Sequence, residues 1–280
     1  MEIIQLLNHG SYNLKTNNIS SHQLDSELLL SKVMKKRKED ILINLNEKVS
    51  KKIIQHYNSL IKRRATKEPI AYILNEKEFW SKKFLVNKNT LIPRPETELL
   101  VEAVLSILKN KKLFLLDVGT GTGCILLSIL SELKNSKGIG IDISKQAIKV
   151  AEKNSKIHKL TKRAKFYVKN LNNFSKHKFD LVVSNPPYIR ENDIDKLDEG
   201  IKKFEPKLAL NGGNDGLDVI KKVIYKSKNI LKFKGALALE IGYGQYLKVS
   251  KILSNNKFKI KHLVKDHGEN VRCIISTLEN

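Results

Sequence analysis

Four consecutive residues, Asn185-Pro186-Pro187-Tyr188, place an amide, two prolines and an aromatic ring directly after the aliphatic run Leu181, Val182, Val183. Proline fixes φ and donates no hydrogen bond to a sheet ladder, so the run cannot continue as a central strand. Asn185 precedes a proline and is held extended. Backbone carbonyls are thus left without ladder partners beside an amide and a flat ring. Such a corner can grip a planar –NH2 group, with acceptors for its hydrogens and a ring against its face. A plain Pro-Pro turn closing a buried strand has the same outline, and other features must separate the two.

The next feature able to do chemistry lies upstream. An apolar run over 113–116 ends in Asp117, glycines follow at 119, 121 and 123, and the apolar stretch 124–130 starts a helix. Strand, glycine turn and helix open a nucleotide-binding βαβ unit, in which glycine lets a ligand approach the backbone. The spacing is G-x-G-x-G, with Cys124 where the dinucleotide fingerprint would continue, and no G-K-[S/T] follows, which excludes a P-loop. The next strand ends in Asp142, at the distance expected of a carboxylate bound to ribose hydroxyls. Both aspartates could be simple strand-end caps. Two acids at the C-terminal edges of neighbouring strands favour a ligand. Turn and acid alone leave nicotinamide enzymes open. The Asn-Pro-Pro-Tyr corner shifts the balance to S-adenosylmethionine, because a dehydrogenase has no use for a grip on an amine.

These residues need a scaffold to hold them. Strands are expected at 113–117, 138–142, 165–169, 180–184 and 235–241 with helices between. That alternation predicts an α/β, doubly wound, mostly parallel sheet with helices on both faces. The runs 258–264 and 271–277 close around a short loop, so the last strand enters antiparallel and brings the sheet to seven strands. Residues 1–75 carry apolar positions at helical spacing, with Ser50 as an N-cap, and predict a small helical domain. Phe79, Trp80, Phe84 and Val86 with interleaved lysines suggest a hairpin linker over 76–91. Pro95 suits a first helical turn, and the catalytic domain is expected over 92–280.

Composition bounds the rest. The 280 residues carry a net charge of +23, from 45 lysines but only 7 arginines. Arginine is the usual reader of phosphates and bases, so the charge fits a protein working near RNA without requiring direct contact with nucleic acid. Two cysteines in apolar runs predict buried thiols in a cytoplasmic protein rather than a disulfide or metal site. The seven histidines lack ligand spacing, and the N-terminus is too polar for a signal peptide. No membrane span and no metal are expected, and a monomer is the default.

The blocks 69–74, 78–80, 91–98, 117–123, 184–189, 205–206, 215–217, 240–242 and 266–272 together resemble a class I SAM-dependent methyltransferase. More narrowly, they resemble the bacterial protein-(glutamine-N5) methyltransferases of the PrmC/HemK family, which modify class I peptide chain release factors. Pro93-Arg94-Pro95-Glu96-Thr97-Glu98 and the C-terminal Asp266 with Asn270-Val271-Arg272 are the narrowest of these matches. The resemblance implies methyl transfer from S-adenosylmethionine to the glutamine amide nitrogen of the Gly-Gly-Gln loop. It makes 1–75 a substrate-docking domain and class I release factors the partner, in support of translation termination.

Carried onto this chain, the resemblance gives the cofactor Gly119, Thr120, Gly121, Thr122, Gly123, Asp142, Leu171 and Asn185, with Asp117 near the methionine amino group. It makes Asn185, Pro186, Pro187 and Tyr188 the catalytic set. Where the family usually has an acidic residue for the adenine region, Asn170 stands here, followed by Leu171. Two rivals remain. One is an exocyclic-amine methyltransferase acting on a flipped RNA or DNA base. The other is a non-enzymatic binding module on the same fold.

Overall fold

The computed structural model describes residues 1–108, 112–173 and 178–279. Its chain divides into two compact units, Met1–Glu76 with Asp198–Phe204, and Lys77–Leu197 with Glu205–Asn280. The first is helical: α1 (Ile3–Thr16), α2 (His22–Met34), α3 (Lys38–Ile43), α4 (Lys51–Ala65) and α5 (Ile70–Leu74). Ser50 caps α4, its hydroxyl accepting from the Ile53 N–H at 3.4 Å. Ile3, Leu6, Leu29, Leu30, Ile41 and Tyr57 fill the bundle core. Tyr57 meets Ser26 at 2.6 Å, and Ser26 donates to the Leu7 carbonyl. A Cβ at Gly10 would fall 1.9 Å from the Tyr57 hydroxyl, so the tyrosine occupies the space that glycine leaves.

The second unit begins with the hairpin β1 (Glu76–Phe79) and β2 (Lys82–Leu85), then α6 (Pro95–Leu108). The elements β3 (Phe114–Val118), α7 (Cys124–Glu132), β4 (Lys137–Asp142), α8 (Lys145–Ile157), β5 (Ala164–Val168) and β6 (Phe179–Ser184) follow. After the short α9 (Glu199–Phe204), which belongs to the helical unit, come α10 (Asp218–Ile230), β7 (Leu231–Glu240), α11 (Tyr246–Asn255), β8 (Phe258–Lys265) and β9 (Val271–Leu278). The seven strands lie in the order β5-β4-β3-β6-β7-β9-β8. Neighbours from β5 to β7 pair in parallel, and β9 is antiparallel to both β7 and β8.

Alternate residues of each strand feed opposite layers. Leu115, Leu181 and Val183 pack with α6, α7 and α8, while Leu116, Val182 and Leu239 pack with α10 and α11. Chain order runs outward from β3 through β4 to β5, then returns to place β6 on the other side of β3. The switch point therefore falls between β3 and β6, where open α/β sheets bind ligands at their carboxyl ends. Ser184 ties that edge together by donating to the Val118 carbonyl at 2.7 Å.

Three boundaries differ from expectation. A helix from about Glu98 to Leu108 is the reading of the periodicity alone; α6 starts at Pro95, because proline at the first helical position needs no N–H partner. Strand β7 starts at Leu231, directly where α10 ends, not at 235. Residues 198–204 join the helical unit, with Lys67 and Glu199 paired at 2.9 Å and Gly200 packed against the Lys67 carbonyl.

Candidate active site

The turn after β3 is built to leave room. Gly119, Gly121 and Gly123 have φ of +71°, +54° and +80°, the left-handed region that glycine tolerates best. A Cβ on Gly119 would meet nothing within 4 Å, and one on Gly121 only the Gly119 carbonyl oxygen at 3.9 Å. Gly123 differs: its Cβ would press on Leu127, Ala151 and Phe166 at 3.2–3.3 Å. The first two glycines face open space, and the third serves packing.

Side chains of the turn point inward. Thr120 donates to Asp117 Oδ2 at 2.6 Å, and Thr122 accepts from the Cys124 N–H at 3.3 Å. The Gly119 and Thr120 N–H groups go to the Ile141 carbonyl, and the Gly121 N–H goes to Asp142 Oδ2 at 3.0 Å. Asp142 Oδ1 accepts from the Ser144 N–H, so this carboxylate already braces two loops. Each of its oxygens keeps a lone pair for a hydroxyl. Burial pushes the Asp142 carboxyl above its ordinary value, against the backbone N–H groups of Ser144, Gly121 and Ile143.

Asp117 is fully buried, its Oδ1 has no hydrogen-bond partner among the described residues, and desolvation lifts the carboxyl to about 7 despite the Thr120 hydroxyl and the Leu126 N–H. An unpaired buried carboxylate oxygen is costly without a donor or cation. The open face over Gly119 and this orphan oxygen fit a ligand with a polar, cationic end.

At the end of β6, Asn185 donates from Nδ2 to Thr97 Oγ1 at 3.0 Å. Its Oδ1 and the Pro186 carbonyl accept no hydrogen bond among the described residues. Tyr188 Oη donates to Glu240 Oε1 at 3.4 Å and accepts from Arg272 Nη2 at 3.3 Å, and the Arg272 guanidinium lies 5.7 Å from the Tyr188 ring centre. Burial, then the Glu240 charge, lift the Tyr188 phenol to about 12, so it stays protonated at neutral pH. Gln245 secures the loop from outside, its Nε2 donating to the Tyr188 carbonyl at 3.0 Å and to the Gly216 carbonyl at 3.2 Å.

Leu171 heads a one-turn 3-10 helix and is buried with Val118, Ile139 and Ile141. Its side chain packs in the core. Asn170 is exposed and caps its own loop through the Asn172 N–H.

The supporting side chains are distant in sequence. Thr97, Glu240 and Arg272 lie within matched blocks but were given no role from sequence, and Asn154 lay outside every block. Asn154 is wholly buried and bonds both Leu85 backbone groups and the Thr122 carbonyl, which couples β2 to the glycine turn. Ile143, next to Asp142, is exposed.

Comparison with known proteins gives the family. Family models for the PrmC N-terminal domain and for a methyltransferase domain match residues 5–74 and 109–258. A release factor glutamine methyltransferase of Clostridium botulinum is 41% identical over 278 residues, covering 98% of each chain. This chain belongs to the release factor glutamine methyltransferase family. A relative of that name from Buchnera aphidicola is 39% identical over 93% of this chain and 94% of its own. The bifunctional methyltransferase of Rickettsia prowazekii is 38% identical over 97% of this chain, which spans just over half (56%) of that longer protein. A solved methyltransferase from Pyrococcus furiosus shares the fold at 14% identity, with a TM-score of 0.54 over 70% of this chain and 89% of its own.

Residues distant in sequence meet within the second unit. Glu205, 4% exposed, accepts from the Ile92 N–H at 3.1 Å and pairs with Arg94. Glu240 and Arg272 bracket Tyr188, and Asp266 stands 4.0 Å from Arg272.

Proposed function

We propose that this protein is a SAM-dependent protein-glutamine N-methyltransferase that modifies the glutamine amide nitrogen in the Gly-Gly-Gln loop of class I peptide chain release factors. The observation that carries the reading is the pair of free acceptors, Asn185 Oδ1 and the Pro186 carbonyl, beside an open glycine turn at the sheet's switch point. Relatives named for this substrate, matched across nearly the whole chain, support the choice of glutamine over a nucleic-acid base.

Bound S-adenosylmethionine supplies an electrophilic methyl group on a sulfonium sulfur. The open backbone at Gly119 and Gly121 would receive its methionine part, with Asp117 near the ammonium. Asp142 would hold the ribose hydroxyls. Ile143, exposed beside Asp142, would offer an apolar face to the purine, and Leu171, whose side chain is in the core, would contribute through its backbone.

A glutamine amide nitrogen is a weak nucleophile because its lone pair is delocalised into the carbonyl. Asn185 Oδ1 and the Pro186 carbonyl would each take one hydrogen of the –NH2, orienting the nitrogen and favouring positive charge as it develops there. Positioning of this kind contributes about 7–11 kcal/mol to barrier lowering, and acceptors aimed at developing charge add to it. Tyr188 packs on the amide plane and remains a phenol, so it takes no proton; the nitrogen's surplus proton leaves after transfer. Asn185 thus borders both cofactor and substrate, and Pro186 and Pro187 hold the carbonyls outward.

In this reading 1–75 is the docking domain, 76–91 the linker and 92–280 the catalytic domain, apart from 198–204, which belong with the helical unit. The enzyme works in the cytoplasm as a monomer and needs neither nucleic acid nor membrane. No helix among the described residues is long and apolar enough to cross a membrane.

The test is mass spectrometry of an unmodified class I release factor after incubation with protein and S-adenosylmethionine. One added methyl on the Gly-Gly-Gln glutamine is expected. Asn185→Ala should lose at least about 10²-fold in rate with cofactor affinity retained. Near-normal turnover by the variant would sink the acceptor account, and methyl transfer to RNA or DNA instead would overturn the substrate.

A further inference from the structure

The corner at the end of β6 cannot be pinned by a sheet ladder, because two of its four residues are prolines without an N–H. Both proline rings also fix φ, so few soft dihedrals remain between Asn185 and Tyr188. Holding the Tyr188 carbonyl at one end, with Ser184 tied to Val118 at the other, therefore sets most of what lies between. That carbonyl is the first backbone acceptor after the two prolines, and it is held by a side chain 57 positions away, Gln245.

Gln245 stands between the end of β7 and the first turn of α11. Its amide offers one oxygen as acceptor and two hydrogens on nitrogen. Oε1 accepts from the Gly242 N–H at 2.8 Å, and Nε2 donates to the carbonyls of Tyr188 at 3.0 Å and Gly216 at 3.2 Å. Turned over, the amide would set N–H against N–H and oxygen against two carbonyls, so only one orientation satisfies all three groups. The chain comes this close because two of the three partners are glycines. A Cβ on Gly216 would fall 2.5 Å from the Tyr188 carbonyl oxygen and 2.9 Å from Gln245 Nε2. One on Gly242 would fall 3.0 Å from Gln245 Oε1 and 3.1 Å from Tyr188 Cδ2, so Gly242 lies against both the amide and the tyrosine ring. One side chain thus binds the backbone of Tyr188 and the surface on which its ring rests.

We propose that Gln245 is a positioning residue for the transfer: by fixing the Tyr188 carbonyl it holds the Pro186 carbonyl and the Tyr188 ring in the directions that receive the substrate –NH2. The same side chain fastens the corner to the 210–217 loop. There the Ile189 N–H donates to the Leu210 carbonyl at 3.1 Å, and the Gly212 N–H donates to the Ile189 carbonyl at 2.8 Å. Gln245 closes that seam at Gly216. Its three partners are backbone groups, and no titratable side chain takes part.

The inference rests on the methyl transfer proposed above, and the experiment separates their failures. Gln245→Met keeps the length of the side chain and removes all three hydrogen bonds. Gln245→Glu keeps an acceptor for the Gly242 N–H and sets a carboxylate oxygen against the two carbonyls. Both variants are expected to lose about 10- to 10²-fold in kcat, the cost of reacting groups displaced by about 1 Å, with unchanged affinity for S-adenosylmethionine. A Gln245→Glu enzyme with wild-type kcat overturns the inference. So does a loss of kcat matched by an equal loss of cofactor affinity, which marks general disruption of the site. Hydrogen–deuterium exchange read by mass spectrometry needs no substrate. In Gln245→Met the peptide carrying Ile189 should exchange faster than in wild type, while the glycine turn 119–123 keeps its wild-type rate. Unchanged exchange at Ile189 refutes the tether whatever the protein methylates.

Discussion

Replacing Gly119 by alanine tests the cofactor cradle with a single methyl group. The backbone there has φ of +71°, which costs an L-residue about 1–2 kcal/mol. The added Cβ touches no protein atom within 4 Å, so no packing penalty joins that strain. At roughly 2–4 °C per kcal/mol for a domain of this size, the melting temperature should fall by several degrees at most. Gly123→Ala carries a similar φ cost and also drives Leu127, Ala151 and Phe166 apart from 3.2–3.3 Å contacts. Overpacking of that kind adds about 1–3 kcal/mol, so this variant should melt lower than Gly119→Ala. Affinity should show the reverse order. If the methionine part lies over Gly119, the methyl intrudes on the ligand with about the same 1–3 kcal/mol, which weakens Kd by roughly 5- to 150-fold. Calorimetric titration with S-adenosylmethionine, alongside thermal melts of both variants, gives the comparison. A Gly119→Ala protein that binds as tightly as wild type would show that the ligand does not use this surface.

Further predictions concern buried charge. Asp117 has a folded pKa of about 7 against an ordinary value of 3.8. The unfolded chain therefore ionises first, and this group subtracts stability as pH rises from about 4 to about 7, with no penalty below that window. Asp117→Asn should gain stability over wild type across that range and level off above it. Glu240, raised from 4.5 to about 7, carries the same sign and remains in both proteins; parallel stability curves for mutant and wild type would contradict the assignment to Asp117. An ammonium beside Asp117 should pull its carboxyl back down, so binding of S-adenosylmethionine near pH 7 should release protons. Titrations in buffers of different ionisation enthalpy would detect this, and identical heats would speak against the contact. In the helical unit, Asp25 is 2% exposed and pairs with Arg64 at 2.7 Å. Arg64→Ala should cost about 3–5 kcal/mol by leaving that charge buried. A loss below about 1 kcal/mol on urea unfolding would mean that Ser21, bonded to Asp25 at 2.8 Å, suffices alone.

Much of this protein is written locally. The glycines at 119, 121 and 123 announce a turn because left-handed backbone and open space favour glycine. Asp142 and Asn185-Pro186-Pro187-Tyr188 end strands by the chemistry of a handful of neighbouring residues. Alternation of apolar runs and helical periods was enough to lay out the sheet and the antiparallel final strand. Tertiary structure decided which side chains stand behind those features. Thr97 meets Asn185 across 88 positions, and Arg94 meets Glu205 across 111, because β6 inserts beside β3 and brings remote loops to one edge. The same packing turned the hydroxyls of Thr120 and Thr122 inward, put the Leu171 side chain in the core and drew 198–204 to the helical unit. Residue type sets what a group can do within a few bonds of its own backbone; which partner it finds depends on strand order, and no local window of sequence contains that.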